Sequence, residues 1–432
     1  MNILPKIDVK IGKNLANKAD SLLLALGFAD AKICVISDEK IWNNSAKFFG
    51  NKFAEMGCDI LILKDPRPDE KNLRLIENTV LNQKKNPRLI KGTLNKKLLI
   101  KGSLDNSPLI KNIIGKNYDL IIGFGSGTIN DLCKFSSFKT GVPYIIFASA
   151  PSMNGYLSRN ASIVVRGHKK TLAATLPLAV YADLDILKSA PKSMIQAGIG
   201  DSLCFYSCWF DWLLSHLILG TKFNQKPFEI LQKKMEFLIK NYQKFKLDDD
   251  KLLQILTEIL LLSGTGMTLA AGSYPASQSE HLIGHAFEMK YPKKAHKIFH
   301  GLQIAVTTPT AVKLQEKMLA KNLLRLKKIE FPTKKIEKLF DKKIAAECKK
   351  EFCEKNNFDL DIVNKRLNQE WKNHRKILQK ILLPEKTIQK ILKHFQIQTS
   401  ALALGLSAKQ YQELINNAKF IRNRFTCLDL IC

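Results

Sequence analysis

The hydrophobic pattern changes near residue 185, and this change constrains the fold more than any other feature of the chain. Before it, short apolar runs alternate with helix-like stretches. These runs span residues 31–37, 59–63, 120–122 and 144–147. Apolar runs of this length, separated by helical stretches, are typical of buried parallel strands joined by helical crossovers.

After residue 185 the apolar residues recur at helical spacing, and glycine and proline become rarer. The clearest helical stretches are 227–242, 251–262 and much of 311–417. A chain of 432 residues is also longer than one typical hydrophobic core supports. The sequence therefore predicts an α/β domain over residues 1–185, followed by an all-helical domain over residues 186–432.

The number and spacing of cysteines, together with the N-terminal sequence, indicate the cellular compartment. The chain has nine cysteines, an odd number, and no C-x-x-C pair, so a disulfide framework is not expected. The N-terminus lacks the basic and apolar pattern of a signal peptide, and no run of about 18 apolar residues occurs. We expect a cytoplasmic protein without a membrane span.

The formal net charge of +29 raises the hypothesis of a basic nucleic-acid-binding protein. Between residues 311 and 380, however, basic and acidic residues are interspersed, and aromatic residues are not interleaved for base stacking. This pattern favours solvated helix faces, so we do not expect nucleic acid as a partner. A positive field would still attract an anionic substrate such as a phosphate ester.

Two polar segments follow predicted strands. The glycine-rich segment 123–131 lies between the strand at 120–122 and a helical stretch, where backbone N–H groups and a helix N-terminus can bind phosphate. It lacks the G-x-G-x-x-G spacing, so a simple tight turn remains the alternative. Segment 149–158 carries small hydroxyl side chains after the next strand, which suit either polar ligand contacts or an ordinary loop.

Four of the eight histidines fall within 20 residues: His281, His285, His296 and His300. Imidazole is a common metal ligand, and two histidines four residues apart lie on one face of a helix. This clustering predicts a metal site. His296 lies among lysines and is expected to be exposed.

Asp201 precedes an apolar stretch, 203–217, that we predict to be a helix. The aspartate suits a helix N-cap or a metal ligand, and the sequence leaves both interpretations open. Cys204 and Cys208 are also four residues apart. Their apolar neighbours favour buried thiols over metal ligands.

Several motifs in fixed order resemble the glycerol-1-phosphate dehydrogenase family, within the superfamily of iron-containing alcohol dehydrogenases and dehydroquinate synthases. They are GSGTIND, SMNGY, GHKKT, AGIGD, DW at 211–212, SEHLIGH, HG at 300–301 and the C-terminal segment 421–429. The resemblance implies a dehydroquinate synthase-like fold. Its N-terminal domain would be Rossmann-like and bind a dinucleotide, and its helical domain would bind metal and substrate.

The resemblance also implies roles for individual residues. Asp201, His281 and His300 would bind one divalent metal, zinc first, with nickel or iron as alternatives. His285 would face the substrate and take part in catalysis. Residues implied to line the NAD or NADP site are Gly125, Ser126, Gly127, Thr128, Asp131, Ser149, Ser152 and Ser158.

Three more of the implied roles concern the substrate. Asp131 would lie at the nicotinamide end of the cofactor site and reach the substrate, with a catalytic role. Asn154 stands where the family usually has an aspartate that contacts the substrate. The metal ligand Asp201 would contact the substrate as well. Because Asn154 lacks the charge, substrate identity stays open.

The resemblance implies reversible reduction of dihydroxyacetone phosphate to sn-glycerol 1-phosphate by NADH or NADPH, so the expected partner is a small phosphorylated polyol or ketone. One alternative is a dehydroquinate synthase-like lyase or cyclase, although that family typically has Glu where Asp201 stands. Another is a dehydrogenase of a different polyol phosphate. A homodimer is compatible with the sequence, which does not fix the oligomeric state.

Overall fold

The computed structural model describes residues 6–81, 117–165 and 168–431. It divides into two compact units, one of Met1–Pro151 with Gly155–Ala190, the other of Ser152–Asn154 with Pro191–Cys432. The second unit thus begins five residues after the boundary expected from the sequence and also takes in three residues of the 149–158 segment. Within residues 84–112 the sequence LIKGTL at 89–94 is nearly repeated as LIKGSL at 99–104, and this near-repeat lies outside the described residues.

The first unit contains a parallel sheet of six strands in the order β1-β8-β5-β4-β2-β3. These strands are β1 Asp8–Gly12, β2 Ile33–Asp38, β3 Asp59–Leu63, β4 Leu120–Gly125, β5 Tyr144–Ala148 and β8 Ala179–Asp183. A separate antiparallel pair consists of β6 Asn160–Val165 and β7 His168–Ala173. The described helices of this unit are α1 Ala19–Ala25, α2 Glu39–Phe49, α3 Lys52–Glu55, α4 Glu70–Val80, α5 Gly127–Thr140 and α6 Leu184–Ser189.

The predicted parallel sheet is confirmed, and the four predicted strands correspond to β2, β3, β4 and β5. The apolar pattern did not reveal β1, because this edge strand is only partly buried and polar and apolar residues alternate along it. It also missed β8, a short strand with two alanines. The edge strand β1 and its neighbour β8 are placed by strand pairing rather than by a long apolar run.

The strand order places a topological switch point between β2 and β4. From β2 the chain adds β3 on one side, and β4, β5 and β8 follow on the other side. The Ser37 hydroxyl ties the two strands together by donating to the Phe124 carbonyl at 2.7 Å. In open parallel sheets, ligands bind beyond the carboxyl ends of the strands at such a point, and the glycine-rich turn after β4 lies there.

The described part of the second unit is helical. Its helices are α7 Lys192–Leu203, α8 Phe205–Leu219, α9 Lys226–Asn241, α10 Asp250–Leu269, α11 Ser279–Lys290, α12 Pro292–Ala295, α13 His300–Leu319, α14 Thr333–Leu339, α15 Lys342–Lys355, α16 Leu360–Ile381, α17 Glu385–His394, α18 Ala408–Ala418 and α19 Leu428–Ile431. Short 3₁₀ turns span Tyr242–Lys244, Tyr274–Ala276 and Ala401–Leu404. The prediction of an all-helical second part is confirmed.

Two helical stretches, Lys192–Leu219 and Asp250–Leu269, are long and apolar enough to cross a membrane by length and composition alone. The first is two helices, α7 and α8, that meet at Cys204. In their most apolar windows, 72% and 61% of the residues are buried inside the protein. Core helices of this kind meet the same criterion, so the stretches are weak evidence for a membrane span.

Helices α7 and α13 approach each other closely at two glycines. A Cβ atom placed on Gly301 would lie 1.9 Å from the Ala197 carbonyl oxygen, and one on Gly200 would lie 2.3 Å from the Gly301 carbonyl oxygen. No side chain fits at either point. The contact brings Asp201, next to Gly200, close to His300, next to Gly301.

We expect Gly301→Ala to destabilise the protein by at least about 1–3 kcal/mol, because the new methyl group meets backbone that cannot move aside. Urea unfolding measures this loss. Gly284→Ala on α11 is the control, since its Cβ would meet only the flexible end of Ile304 at 3.0 Å. Equal stability of the two variants would contradict the proposed close contact of α7 and α13.

Candidate metal and catalytic site

Three helices of the second unit bring the predicted metal ligands together. Asp201 lies near the end of α7, His281 lies in the first turn of α11, and His300 is the first residue of α13. One ligand atom from each lies within 4.8 Å of the others. The His281 Nε2 is 3.8 Å from the Asp201 Oδ1. This geometry can hold one metal ion with three protein ligands.

Asp201 does not cap a helix, so the N-cap interpretation is wrong. The helix around it begins at Lys192, nine residues earlier, and the expected helix 203–217 is a separate one. The Asp201 Oδ2 accepts a hydrogen bond from the Asn154 backbone N–H at 3.2 Å. Its buried Oδ1 has no hydrogen-bond partner among the described residues. A buried carboxylate oxygen without a partner is costly, and a cation beside the histidines would satisfy it.

Glu280 fixes the orientation of His281. The Glu280 Oε1 lies 2.8 Å from the His281 Nδ1. The same oxygen accepts hydrogen bonds from the Gln278 backbone N–H and the Cys208 thiol. The other oxygen, Oε2, accepts a hydrogen bond from the Ser207 hydroxyl. Burial alone would raise the pKa of this carboxyl, but these hydrogen bonds outweigh burial and lower it to about 2. An ionised Glu280 therefore holds the Nδ1–H of His281 and leaves Nε2 directed toward Asp201.

Cys204 and Cys208 are buried, in accord with their interpretation as buried thiols. With Glu280 and His281 they form a second compact group of metal-binding side chains. However, the Cys208 thiol donates to Glu280 at 3.0 Å, and burial raises the pKa of Cys208 well above its usual value. A protonated thiol of this kind supports Glu280 rather than a second metal ion.

His285 lies one turn after His281 on α11, and its ring centre is 5.9 Å from that of His281 and 6.0 Å from that of His300. Its Nδ1 lies 3.2 Å from the Glu288 Oε2. Burial, followed by the positive charge of Arg422, lowers the pKa of His285 to about 3, so the ring is neutral near pH 7. The fourth histidine of the cluster, His296, is exposed, as expected.

Asp211 is a residue whose role the sequence did not reveal. It lies on α8 and accepts hydrogen bonds from the backbone N–H of Ser279 at 3.2 Å and of Cys427 at 3.0 Å. It thereby joins the start of α11, which carries His281 and His285, to the C-terminal segment. Its distance along the chain from these partners explains why spacing gave no signal.

We expect Asp211 to make stability fall as pH rises. Burial raises the pKa of Asp211 from 3.8 to about 7, so the folded protein keeps a proton that the unfolded chain releases. The stabilisation present below about pH 4 is therefore lost between about pH 4 and 7, by an amount on the order of a few kcal/mol. Urea unfolding at several pH values measures this slope, and Asp211→Asn should remove it. The same slope in both proteins would contradict the assignment.

The predicted cofactor residues of the first unit lie at the carboxyl ends of β4 and β5. Gly125 ends β4, Ser126 precedes α5, and Gly127 and Thr128 form its first turn. A Cβ atom on Gly125 would lie 2.5 Å from Ile129, so the tight turn requires glycine there. Ser149 follows β5, and its N–H donates to the Gly125 carbonyl at 3.0 Å. This arrangement leaves the N-terminus of α5 at the switch point, where it can bind a phosphate.

Other predicted cofactor residues make internal contacts. The Asp131 carboxylate accepts from the Ser162 backbone N–H at 3.1 Å. The Ser158 hydroxyl donates to the carbonyls of Gly155 and Asn160. Lys134 is buried and donates to Ser158 and to the same two carbonyls, so it does not contact a phosphate here. The burial of Lys134 lowers its pKa to about 8. Lys134 thus stabilises the 155–160 loop.

Ser152 and Asn154 group with the second unit, which contains the metal ligands. Ser152 is buried, and Asn154 is partly exposed. The backbone N–H of Asn154 contacts Asp201, as described above. The structure therefore places Asn154 beside a predicted metal ligand.

A model of the family described as iron-containing alcohol dehydrogenase matches residues 100–191 of the chain. A glycerol-1-phosphate dehydrogenase [NAD(P)+] of Thermococcus sibiricus is 33% identical over 286 residues, which cover 66% of this chain and 79% of that protein. The chain belongs to the glycerol-1-phosphate dehydrogenase family. The family expected from the motifs is thereby confirmed.

Other relatives match a smaller part of this chain and of their own length. The Geobacillus thermodenitrificans protein of the same name is 34% identical over 210 residues, 48% of this chain and 52% of that protein. The chain therefore spans about half the length of such curated relatives.

Solved structures confirm the predicted fold. A probable glycerol dehydrogenase from Sinorhizobium meliloti superposes with a TM-score of 0.58 at 14% identity, covering 98% of this chain and 91% of that one. Maleylacetate reductase from Agrobacterium tumefaciens gives a TM-score of 0.60 at 9% identity, with 96% and 90% covered. At these identities the likeness concerns the fold alone.

Proposed function

We propose that this protein is a metal-dependent, NAD(P)-linked dehydrogenase that interconverts dihydroxyacetone phosphate and sn-glycerol 1-phosphate. The observation that carries the proposal is the convergence of Asp201, His281 and His300, with a buried Asp201 oxygen that has no hydrogen-bond partner among the described residues. Its relatives are named as enzymes with this activity. Their names also support a cofactor of the NAD(P) type.

The donor set fits a divalent cation of the zinc type. One carboxylate and two imidazoles are ligands that zinc accepts, and three protein ligands leave a position for substrate. When bound, such a metal supplies Lewis acidity that polarises a substrate carbonyl. Glu280 keeps the His281 ring in the required orientation, and Asn154 does the same for Asp201 through its backbone N–H.

His285 is the residue we assign to proton transfer. Its ring is neutral, and Glu288 lies at Nδ1, so Nε2 can accept a proton. In the oxidation direction Nε2 would take the proton of the substrate hydroxyl while Nδ1 passes its own proton to Glu288, so the ring stays neutral. In the reduction direction both transfers would be reversed. The histidine ring thus supplies acid–base chemistry that the metal ligands cannot.

The first unit would hold the dinucleotide. Its pyrophosphate suits the turn Gly125–Thr128 at the N-terminus of α5, where backbone N–H groups and the helix dipole favour an anion. Asp131, four residues after Gly127, would face the nicotinamide end of the same site. Hydride transfer is the chemistry that a nicotinamide supplies, and the protein contributes its alignment.

The decisive experiment is a panel of phosphorylated and unphosphorylated ketones, with NADH and NADPH in turn, followed at the nicotinamide absorbance. The zinc-loaded protein should oxidise a reduced cofactor with dihydroxyacetone phosphate and produce sn-glycerol 1-phosphate. Preference for another phosphorylated ketone would support the role of Asn154 in altering substrate choice. No oxidation with any ketone would reject the dehydrogenase and favour a lyase or cyclase.

A further inference from the structure

The Nδ1 atoms of His281, His285 and His300 each lie next to a carboxylate. Among the described residues, two carboxylates make these three contacts. The His281 Nδ1 lies 2.8 Å from the Glu280 Oε1. Glu288 serves the other two rings with separate oxygens. Its Oε2 lies 3.2 Å from the His285 Nδ1, and its Oε1 lies 3.3 Å from the His300 Nδ1.

An ionised carboxylate only accepts hydrogen bonds, so a histidine nitrogen beside it must carry the hydrogen. In its neutral form, each of the rings of His285 and His300 therefore holds its hydrogen on Nδ1 and presents an unprotonated Nε2 atom. The positive charge of Arg422 interacts favourably with Glu288, which supports its ionised form. The two oxygens of one carboxylate thus set both rings, one oxygen at each.

We propose that Glu288 is a shared positioning residue that couples the metal ligand His300 to the proton-transferring His285. The inference rests on the proposed function for its description of His285. Glu288 follows His285 by one turn of α11, whereas His300 begins α13. If either ring turns away, the carboxylate loses one contact and gains freedom to move away from the other ring. Metal binding and proton transfer thus share one support.

Glu280 provides a matched comparison, because it also carries one negative charge and also contacts the Nδ1 of a predicted ligand. It makes no contact with His285 or His300 in the described structure. In Glu280→Gln one amide oxygen can still accept from His281, and the Ser207 hydroxyl can turn to accept from the new amide group. Glu288→Gln, in contrast, leaves one acceptor for two rings.

The test measures histidine tautomers and zinc affinity, and neither depends on turnover. Metal-free protein labelled with ¹⁵N-histidine reports which ring nitrogen carries hydrogen, with single His→Asn variants for assignment. In the unsubstituted protein, His285 and His300 should both carry hydrogen on Nδ1. In Glu288→Gln one of them should change to the Nε2–H tautomer. Competition with a chromophoric chelator should show zinc binding weakened about 10–100-fold.

Glu280→Gln should leave the tautomers of His285 and His300 unchanged. The proposal is overturned if Glu288→Gln keeps both tautomers and the original zinc affinity, or if Glu280→Gln alters His285 to the same degree. Circular dichroism and urea unfolding verify that both variants fold. If the ketone panel shows no activity while the tautomers change as expected, the proposed function fails and the positioning role of Glu288 stands.

Discussion

Asp201→Asn should weaken zinc binding by about 10³-fold or more without weakening the fold. The change removes one of three ligands and the charge that opposes the cation, while the shape of the side chain is kept. Because the buried Asp201 Oδ1 has no partner among the described residues, the metal-free variant should be at least as stable as the unsubstituted protein. Turnover should fall by about 10³-fold as well, the effect of losing several kcal/mol of carbonyl polarisation.

Chelator competition, metal analysis of purified protein and thermal unfolding of the metal-free form measure these effects. Asp211→Asn is the matched control, because Asp211 is also buried but accepts hydrogen bonds from Ser279 and Cys427. Asp211→Asn should change both the stability of the protein and the pH dependence of that stability, and the variant should still bind one equivalent of zinc. Full zinc occupancy in Asp201→Asn would remove Asp201 from the ligand set.

His285→Ala should lower kcat by about 10²–10⁴-fold and leave the metal bound. The neutral ring is next to His281 and His300 but has no place in the set of three ligands, so its loss removes the proton-transferring group and keeps all three ligands. Because Glu288 loses one contact, zinc affinity should fall no further than it does in Glu288→Gln. Steady-state kinetics with the preferred ketone, together with metal analysis of the same preparation, separate the two effects.

His296→Ala is the control for the second experiment. His296 belongs to the same histidine-rich segment but is exposed, and its replacement should change neither kcat nor zinc content. If His285→Ala loses its zinc, His285 belongs to the ligand set instead. Unchanged turnover in His285→Ala would leave proton transfer to another group, such as Asp131 or solvent.

Individual strands and helices show which parts of the fold the amino-acid pattern predicts. Strands β2, β4 and β5 were predictable because each is an apolar run that the parallel sheet buries on both faces. The edge strand β3 is only partly buried but is also an uninterrupted apolar run after Asp59. The edge strand β1 was not predictable, since its partly exposed residues alternate in polarity. Helix α7 was missed, although the predicted start of the following helix lies within two residues of the observed one, because Gly198 and Gly200 lower the helix propensity of its last turns.

The outer layer of the candidate site shows the same limit. His281 and His285 share a helix face, and a spacing of four residues is enough to predict this. The pairing of Glu280 with Ser207 and Cys208 joins residues more than 70 positions apart. The function of Glu288 depends on where α13 starts relative to α11. Neither contact leaves a periodic signal in the chain.

The sequence by itself determined the order of α/β and helical parts, the family, and the residue types available for a metal and a dinucleotide. These follow from local periodicity and from motifs that each lie within a few residues. Only the tertiary structure decided that Asp201 lies inside a helix, that Gly200 and Gly301 let its helix approach His300, and that Glu288 serves two histidines. The physical reason is that close packing and hydrogen bonding between distant segments depend on three-dimensional distances, which the spacing of residues along a chain does not specify.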